Sequence, residues 1–537
     1  MMIHTINVDF EVLKDSNKKV LFITVTDKNF FIGTLASVNS ILQYHPEADI
    51  AIIDYNSGTP EGLSEHQKLL FSQKSNIKIY NRDYFNKENR VPGGWQYKTY
   101  AMADLMNEDN HDILIGIDSD CCIVSNLNDV IEKCLSDGKM RGGQDGAGPY
   151  YDQSYQTYGF EINVQNKKYM STSLYFVPKN DINKLILNDA AIFTNSAVYG
   201  PQQEKKYPGH GDQGVLNATI YKHTKSENVE LLTNEIWSMH WTYDQTIVVY
   251  ENDRLINRTF KNEPMRSFHS PSMGKIWTKG YSEKDPINQQ WIYAHFVNYA
   301  LLGELCLATN DNIKNIINSS HYHLLEDLIN NKDKIMVINK NFVKIWDKLS
   351  HEFINIIFEY KNFHRMMTLL KNGSMAKYID LVKSVPDNSR ILEIGSYKGG
   401  SILTLALATF HKNLDYNSLE SFMGSENNTV DGWELPKVKD YLLQVKETFP
   451  FLNIKSYKIQ SVQGSKLFPD NYFDFIFVDG SHEAEPVFND IMNWIPKLKI
   501  NGIMAGDDIS WQSVRDGLNK TNFKYSESND LWWLIKT

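Results

Sequence analysis

Apolar and polar residues are arranged along the first half of the chain in the manner of an α/β protein. Short apolar runs, many of them rich in β-branched residues, are separated by longer stretches with helical spacing. This pattern predicts a mostly parallel sheet covered by helices. The predicted strands are Val20–Val25, Ile50–Ile53, Ile77–Tyr80, Ile113–Ile117 and Thr172–Val177.

The pattern changes over residues 311–371. Apolar residues there recur at intervals of three and four, as in Leu324, Leu325 and Leu328, which is typical of amphipathic helices. We expect a helical connector. It either only fixes the separation of the flanking domains or also provides apolar faces for a dimer interface, so that a homo-oligomer is a further expectation.

A second α/β pattern follows the break at Asn372-Gly-Ser. It begins with a predicted strand at Arg390–Glu393, a glycine-rich turn and a helix through Thr409, and further strands are predicted at Phe473–Val478 and Ile500–Ala505. The expected fold class is therefore α/β throughout. The expected organisation is a first domain over 1–310, the connector over 311–371 and a second domain over 372–537.

Length and composition agree with several folded domains. The chain has 537 residues, a net charge of −10 and 12% aromatic residues. Because no block of basic residues occurs, nucleic acid is not an expected partner. No apolar run approaches the roughly 20 residues of a membrane-spanning helix, and the first residues lack a signal-peptide pattern. We therefore expect no transmembrane segment and a cytoplasmic location.

Two carboxylates follow the predicted strand Ile113–Ile117. Asp118 and Asp120 would lie at its carboxyl end, which is where open α/β sheets bind their ligands. Mg²⁺ or Mn²⁺ held there would neutralise a nucleotide diphosphate and help it to leave. The pair by itself is a weak signal, because acidic residues also cap turns.

Four segments in a fixed order strengthen this interpretation. They are Phe22-Ile-Thr-Val-Thr-Asp27-Lys-Asn-Phe30, Asp118-Ser-Asp120, Gly211-Asp-Gln-Gly-Val-Leu-Asn217 and His269-Ser-Pro-Ser-Met-Gly-Lys-Ile-Trp277. Together they resemble GT-A glycosyltransferases, whose sheet is mixed and Rossmann-like, and most closely glycosyltransferase family 8. The resemblance implies a nucleotide-sugar donor, with UDP as the expected nucleotide, and a glycan or glycoconjugate acceptor.

The resemblance also implies roles for individual residues. Mn²⁺ or Mg²⁺ would be held by Asp118, Asp120 and His269. Lys275 would pair with the diphosphate, where a cation meets the charge that develops on the leaving group. The residues expected to line the nucleotide pocket are Thr24, Thr26 and Asp27, and those expected to face the transferred sugar are Asp212 and Gln213.

The stereochemical course stays open at this point. The resemblance implies retention at the anomeric carbon, with the donor phosphate helping to deprotonate the acceptor. An inverting enzyme would instead need a carboxylate base that faces the acceptor. The candidates for that base are Asp145, Asp152 and Asp212.

A glycine-rich turn opens the second domain. Glu393 ends the predicted strand, and Gly395, Ser396 and Gly399 lie between this strand and the helix. Glycine there lets the backbone approach a cofactor, and the helix N–H groups point at it. Glu420 ends the next predicted strand, at the position where a carboxylate would hold ribose hydroxyls. These features predict an adenosyl cofactor.

The segments Asp479-Gly-Ser-His482 and Gly506-Asp507-Asp508 carry the most specific signal. With the glycine turn they resemble class I S-adenosylmethionine-dependent methyltransferases, and within them the Mg²⁺-dependent sugar O-methyltransferases of macrolide and polysaccharide pathways. The resemblance implies that Mg²⁺ is bound by Asp479, Asp507 and Asp508 and that His482 is the general base. Ser461 stands where an acidic residue is expected near the adenine.

Both halves thus point to sugar chemistry. The main hypothesis is a bifunctional enzyme of glycan or polysaccharide biosynthesis, which transfers a sugar from a nucleotide donor and methylates a sugar hydroxyl with S-adenosylmethionine. The alternative is a glycosyltransferase only. In that case Ser461 marks a degenerate methyltransferase domain that acts as a binding module.

Overall fold

The structure of the protein is a computed structural model. The residues that it describes are 18–81, 94–107, 110–145, 168–199, 211–233, 239–240, 247–259, 262–270, 275–279, 290–306, 313, 316, 321–348, 370–397, 399–421 and 452–537. The chain divides into two compact units, Met1–Lys340 and Asn341–Thr537. The dividing point lies inside the expected connector, and the domain limits proposed from the sequence stay a prediction.

The first unit contains thirteen strands and nine helices in its described part. Its strands are β1 Val20–Thr26, β2 Asp49–Asp54, β3 Ile77–Asn81, β4 Ile113–Ile117, β5 Cys121–Ile123, β6 Met140–Gln144, β7 Met170–Pro178, β8 Val229–Leu232, β9 Met239–His240, β10 Val248–Glu251, β11 Arg254–Asn257, β12 Glu263–Pro264 and β13 Ser267–His269. Its helices are α1 Phe31–Tyr44, α2 Glu65–Phe71, α3 Gly94–Asn107, α4 Asn128–Asp137, α5 Asp181–Tyr199, α6 Gly211–Thr224, α7 Gln290–Leu302, α8 His323–Asn330 and α9 Lys332–Ile338.

A seven-stranded mixed sheet forms the centre of this unit, in the order β3-β2-β1-β4-β7-β6-β8. The four strands β3, β2, β1 and β4 are parallel, whereas β7 is antiparallel to both of its neighbours and β8 is parallel to β6. Strand β4 is buried along its whole length. Such continuous apolar strands form where both faces of a sheet are covered.

A small sheet has the strand order β5-β13-β9. Its strand β5 directly follows β4 in the sequence. Strand β13 is antiparallel to β5, in a register that pairs His269 with Cys121. A separate sheet is formed by β10, β11 and β12. The pairing of β5 with β13 matters for function because it joins two segments that are far apart in the sequence.

The second unit is built on another seven-stranded sheet. Its strands are β14 Arg390–Ile394, β15 Asp415–Glu420, β16 Ile454–Lys458, β17 Phe473–Val478, β18 Leu498–Gly506, β19 Ser526–Ser528 and β20 Leu531–Ile535. Its larger described helices are α10 Asn372–Lys383, α11 Gly400–Ala408, α12 Ala484–Trp494 and α13 Gln512–Lys520, and a single helical turn spans Ser461–Gly464.

The strand order in this sheet is β16-β15-β14-β17-β18-β20-β19. The first five strands are parallel, and β20 runs antiparallel between β18 and β19. The order reverses at β14, which has β15 on one side and β17 on the other. Open sheets bind ligands at such a reversal, outside the carboxyl ends of the strands.

The predicted fold class is confirmed in both units, because each has a sheet of mostly parallel strands with intervening helices. Helices α8 and α9 and the helical residues 342–348 fall within the expected connector. Leu324, Leu325 and Leu328 are buried, as their spacing predicts. Among the described residues, no helix combines the length and the apolar character that a membrane crossing requires.

Candidate active sites

Strand β4 delivers Asp118 and Asp120 to the carboxyl edge of the first sheet. The backbone N–H of Asp118 donates to the carbonyl of Ser173 on β7 over 2.8 Å. The chain then turns, and the N–H of Cys121 donates back to the carbonyl of Asp118 over 3.0 Å. The first predicted acid pair therefore lies on a short, hydrogen-bonded turn beyond the sheet.

His269 joins this turn through strand pairing. The N–H of Ser270 donates to the carbonyl of Asp120 over 3.0 Å, which continues the β5–β13 ladder. The Nε2 atom of His269 lies 3.1 Å from Oδ1 of Asp120 and 3.5 Å from Oδ2 of Asp118. The three predicted ligand residues are thus together, with one ligand atom from each within 4.8 Å of the others.

Lys275 also reaches this cluster. Its ammonium group pairs with Oδ2 of Asp120 and donates to the carbonyl of Ser270 over 2.9 Å. Burial would raise the pKa of Asp120, but His269 and Lys275 beside it outweigh burial and hold the pKa below its usual range. The cluster is therefore arranged to keep Asp120 ionised.

Lys98, on α3, is a site residue that the sequence reasoning missed. It is buried, it pairs with Asp118, and its Nζ lies 3.1 Å from Oδ2 of Asp212. Burial would lower the pKa of Lys98, but the two carboxylates raise it above its usual value. For Asp212, burial is the largest influence and raises the pKa. No motif in the sequence marks this lysine, which is one of many in amphipathic segments.

Gln213 and Asp212 come from the start of α6. The side-chain amide of Gln213 donates to Oδ2 of Asp145 over 2.5 Å and accepts from the N–H of Thr172 over 3.1 Å. Two of the three candidate bases, Asp145 and Asp212, are therefore held by neighbouring side chains. The third, Asp152, lies outside the described residues.

Strand β1 ends in the three residues expected to line the nucleotide pocket. Thr24 and Thr26 are buried, and the hydroxyl of Thr34 donates to Thr26 over 2.7 Å. Asp27 accepts hydrogen bonds from the N–H groups of residues 29 and 30 at the start of α1. Its other oxygen accepts from Tyr55, at 2.7 Å, and from Asn56, at 3.2 Å. Tyr55 and Asn56 follow β2 and were not anticipated.

The donor atoms of the first cluster suit a divalent ion. Two carboxylates and one imidazole, at the edge of a sheet, are ligands that Mn²⁺ accepts readily, whereas Mg²⁺ prefers an all-oxygen set. The mutual separations of Asp118, Asp120 and His269 allow one ion to contact all three. The residues therefore fit the expected metal.

In the second unit, Gly395 forms the floor of the predicted turn. Its φ is +85°, and a Cβ atom there would lie 2.1 Å from the carbonyl oxygen of Asp479. Gly399 also has a left-handed φ, of +80°, directly before α11. Only glycine satisfies both the conformation and the close approach of the two strand ends at Gly395.

Glu393 is fully buried beneath this turn. Its Oε1 accepts from the hydroxyl of Ser401 over 2.6 Å and its Oε2 from the hydroxyl of Tyr378 over 3.1 Å. Burial raises its pKa to about 7. Ser396 lies in the same turn, and Ser418 donates to its hydroxyl over 2.7 Å. Hydrogen bonds of Glu393 and Ser396 therefore connect this turn to Ser401, Tyr378 and Ser418.

Two other expected cofactor residues lie at the end of β15 and just beyond the end of β16. Glu420, at the end of β15, accepts from the N–H of Tyr397 over 2.8 Å. Ser461 accepts from the indole N–H of Trp494 over 2.8 Å and is also hydrogen-bonded to Asp490. Burial raises the pKa of Asp490 to about 6. Asp490 is a buried acid near Ser461 that the sequence reasoning did not identify.

The residues that follow β17 and β18, together with Asp530, form two overlapping groups of possible metal ligands. One consists of Asp479, His482 and Asp508, and the other of Asp507, Asp508 and Asp530. The Nε2 atom of His482 lies 2.8 Å from Oδ2 of Asp508 and 4.0 Å from Oδ1 of Asp479. The structure therefore places Asp508 in both groups but places Asp479 and Asp507 in different ones.

Asp530 is a further residue that no motif indicated. It lies just before β20 and reaches the site because its Oδ1 accepts from the N–H of Ser510 over 2.9 Å. Its other oxygen pairs with Lys371. Only the antiparallel insertion of β20 beside β18 brings this turn to the acid pair.

The electrostatics of this cluster favour a cation. Burial raises the pKa of Asp479 well above its usual range, and the neighbouring carboxylates, Asp507 foremost, raise it further. Burial likewise raises the pKa of Asp507 to about 6. The hydrogen bond to Asp508 raises the pKa of His482. Within the described part of the chain, the buried Oδ1 of Asp507 has no hydrogen-bond partner. These oxygen-rich donors fit Mg²⁺.

One sequence comparison matches part of the second unit. A family model described as Methyltransferase domain matches residues 392–509, which contain the glycine turn, Asp479 and the pair Asp507-Asp508. No curated protein matches the chain.

Three solved structures are similar to parts of the chain. The WbbM bifunctional glycosyltransferase has 15% identity and a TM-score of 0.38, and the match covers 56% of this chain and 52% of that one. The galactosyltransferase LgtC, in complex with donor and acceptor sugar analogues, has 15% identity and a TM-score of 0.36 over 55% of this chain and 100% of that one. The O-methyltransferase NovP has 16% identity and a TM-score of 0.26 over 32% of this chain and 83% of that one.

The chain therefore spans about half the length of the first of these structures. The strand orders show two α/β units. The second unit contains the match to the methyltransferase domain family.

Proposed function

We propose that the chain is a bifunctional enzyme of glycan biosynthesis. Its first unit transfers a sugar from a nucleotide-sugar donor to a glycan acceptor, and its second unit methylates a sugar hydroxyl with S-adenosylmethionine. The observation that supports the first activity is the convergence of Asp118, Asp120 and His269 at the carboxyl edge of the sheet. The methyltransferase family match and the adjoining acidic cluster support the second.

In the proposed first site, Asp118, Asp120 and His269 hold Mn²⁺ or Mg²⁺. When bound, the ion would neutralise charge on the donor diphosphate as that group leaves. Lys275 already lies beside Asp120, and we assign it a second cationic contact to the same phosphates. Asp27, with Tyr55 and Asn56, forms a polar end of the expected nucleotide pocket.

Lys98, Asp145 and Thr172 hold in place the two side chains expected to face the transferred sugar, Asp212 and Gln213. The buried ammonium group of Lys98 fixes the carboxylate of Asp212, and Gln213 bridges Asp145 and the N–H of Thr172. Polar side chains that are fixed before the substrate arrives lose little freedom on binding, which favours a defined orientation of the sugar.

In the proposed second site, Asp479, Asp507 and Asp508 hold Mg²⁺ and the glycine turn and Glu420 hold the adenosyl cofactor. Held by these carboxylates, Mg²⁺ would orient a vicinal diol and would lower the pKa of the hydroxyl that is methylated. His482 takes the proton, because its imidazole lies among these acids and an imidazole exchanges protons near neutral pH. S-adenosylmethionine held at this site would supply the methyl group to that hydroxyl oxygen and would leave as S-adenosylhomocysteine.

The test is mass spectrometry of the full chain incubated with a panel of nucleotide sugars, S-adenosylmethionine, glycan acceptors and Mg²⁺ or Mn²⁺. Nucleoside diphosphate and S-adenosylhomocysteine are scored separately. The double variant Asp118→Ala, Asp120→Ala should lose diphosphate release and keep methylation, and Asp507→Ala, Asp508→Ala should do the reverse. Glu47→Ala, an exposed carboxylate of the first unit, is the control. If either double variant lost both activities, or kept both, the assignment of one reaction to each unit would be refuted.

A second candidate is a glycosyltransferase whose second unit only binds ligands. The observation that favours it is Ser461, which replaces the acid expected near the adenine and whose hydroxyl is engaged by Trp494. Calorimetric titration of the full chain with S-adenosylmethionine separates the two. Absence of binding at millimolar cofactor would favour the second candidate, and micromolar binding would favour the first.

A further inference from the structure

Trp511 is a large aromatic side chain that is exposed beside the proposed methylation site. About half of its surface, 52%, is accessible to solvent. Its ring centroid lies 4.9 Å from that of His482, with an angle of 38° between the ring planes. One part of the indole thus contacts the proposed general base, while the rest faces the solvent next to it.

The backbone of Trp511 is anchored to the acidic cluster. Its N–H donates to the carbonyl of Asp508 over 2.9 Å, which closes the turn that follows β18. The two intervening residues, Ile509 and Ser510, both donate backbone hydrogen bonds to Asp530, at 3.1 and 2.9 Å. The indole is therefore presented at a fixed place relative to Asp508 rather than on a free loop.

The chemistry of this surface fits a sugar ring. A pyranose has hydroxyls at its edge and C–H groups on its faces, and an aromatic face packs well against such C–H groups. A diol at Asp508 and His482 would leave the remaining ring atoms to extend over a neighbouring surface. Trp511 is the large hydrophobic side chain that the described residues expose in contact with His482.

We infer that Trp511 is the platform on which the acceptor pyranose of the methylation reaction packs, and that it selects sugar rings as acceptors. This inference rests on the proposed methyltransferase activity. Trp511 binds the acceptor without taking part in proton or methyl transfer, so that it determines specificity rather than catalysis.

The test compares Trp511→Leu, which keeps an apolar side chain without a π face, with Trp511→Tyr, which keeps an aromatic one. Formation of S-adenosylhomocysteine is measured with methyl pyranosides of glucose, galactose, mannose and rhamnose, and with catechol as a planar diol. Phe523→Ala is the matched control, because Phe523 is an exposed aromatic residue of the same unit at 38% accessibility.

We expect Trp511→Leu to raise the acceptor KM about 3- to 10-fold, the value of one aromatic contact, with kcat and S-adenosylmethionine affinity unchanged. Trp511→Tyr and Phe523→Ala should stay close to wild type. A wild-type KM in Trp511→Leu would overturn the inference while leaving the methyltransferase proposal intact. Methylation of catechol but of no pyranoside would also overturn it. If wild type forms S-adenosylhomocysteine with none of these acceptors and does not bind the cofactor, the proposed function fails and the inference fails with it.

Discussion

The ammonium group of Lys98 lies 3.1 Å from Oδ2 of Asp212 and also pairs with Asp118. One buried cation therefore neutralises two carboxylates that come from different parts of the first unit. Because Lys98 also donates to the carbonyl of Thr172 over 2.9 Å, it connects α3, the end of β4, β7 and α6 around the proposed donor site.

Removing this cation should destabilise the first unit. In Lys98→Met, Asp118 and Asp212 are left without their shared partner, and breaking a buried ion pair in this way costs about 3–5 kcal/mol of unfolding free energy. Chemical denaturation measures the change. The double variant Lys98→Met, Asp212→Asn should recover part of the loss. Lys133→Met, at an exposed pair with Glu230, is the control and should cost under about 1 kcal/mol. A loss of that small size in Lys98→Met would contradict the role given to Lys98.

His269 should determine the metal requirement of sugar transfer. His269→Gln removes the imidazole that lies against both Asp118 and Asp120. Because even the loss of an outer partner lowers metal affinity about 10- to 100-fold, the Mn²⁺ concentration for half-maximal diphosphate release should rise at least about tenfold. The control is His111→Gln, a histidine that pairs with Asp49 away from the cluster. An unchanged Mn²⁺ requirement in His269→Gln would exclude His269 as a ligand.

The two acidic groups of the second unit predict an order of effects. Asp508 belongs to both groups, so Asp508→Asn should raise the Mg²⁺ concentration needed for S-adenosylhomocysteine formation more than any other single substitution there. Asp530→Asn should have little effect, because Asp530 already pairs with Lys371 and the N–H of Ser510. Magnesium titrations of both variants measure this. A larger effect of Asp530→Asn than of Asp508→Asn would contradict this order and would assign the proposed ion to the group that contains Asp530.

Gly395 should not tolerate a side chain. Gly395→Ala places a Cβ atom 2.1 Å from the carbonyl of Asp479 at a φ of +85°, which costs more than about 2 kcal/mol and displaces the turn that holds the cofactor. Calorimetry should show loss of S-adenosylmethionine binding. Gly373→Ala is the matched control, since its nearest neighbour would be 3.5 Å away. Cofactor binding by Gly395→Ala at wild-type affinity would disprove the close contact.

The buried carboxyl of Glu393 should make stability depend on pH. Its pKa of about 7 in the folded protein is above that of an unfolded glutamate, so the folded state holds a proton that the unfolded state releases. The free energy of unfolding should therefore fall as pH rises from about 4.5 to 7, by up to about 3 kcal/mol.

Glu393→Gln removes this titration and should be less sensitive to pH over the same range. At pH 5 the variant and wild type should have similar melting temperatures, and at pH 8 the variant should melt at the higher temperature. Ser401 and Tyr378 retain hydrogen-bond partners in the amide. Parallel curves for the two proteins from pH 5 to 8 would contradict a raised pKa.

Local patterns in the sequence predicted much of the fold. The strands beginning at Val20, Ile113 and Phe473 appear within a residue or two of their predicted limits, because continuous apolar runs flanked by polar residues form buried strands in any α/β context. The positions of Asp118 and Asp479 follow directly, since a residue after a parallel strand lies at the carboxyl edge of the sheet.

Which residues contact these acids was determined only by the tertiary structure. Lys98 and Asp530 belong to no motif, and they reach the two clusters only because α3 covers the first sheet and β20 inserts beside β18 in the second. The same holds for the division of Asp479 and Asp507 between two groups. Spacing along the chain specifies which strand a residue ends. The distance between side chains from different elements depends on strand order and helix packing, which are set by long-range contacts.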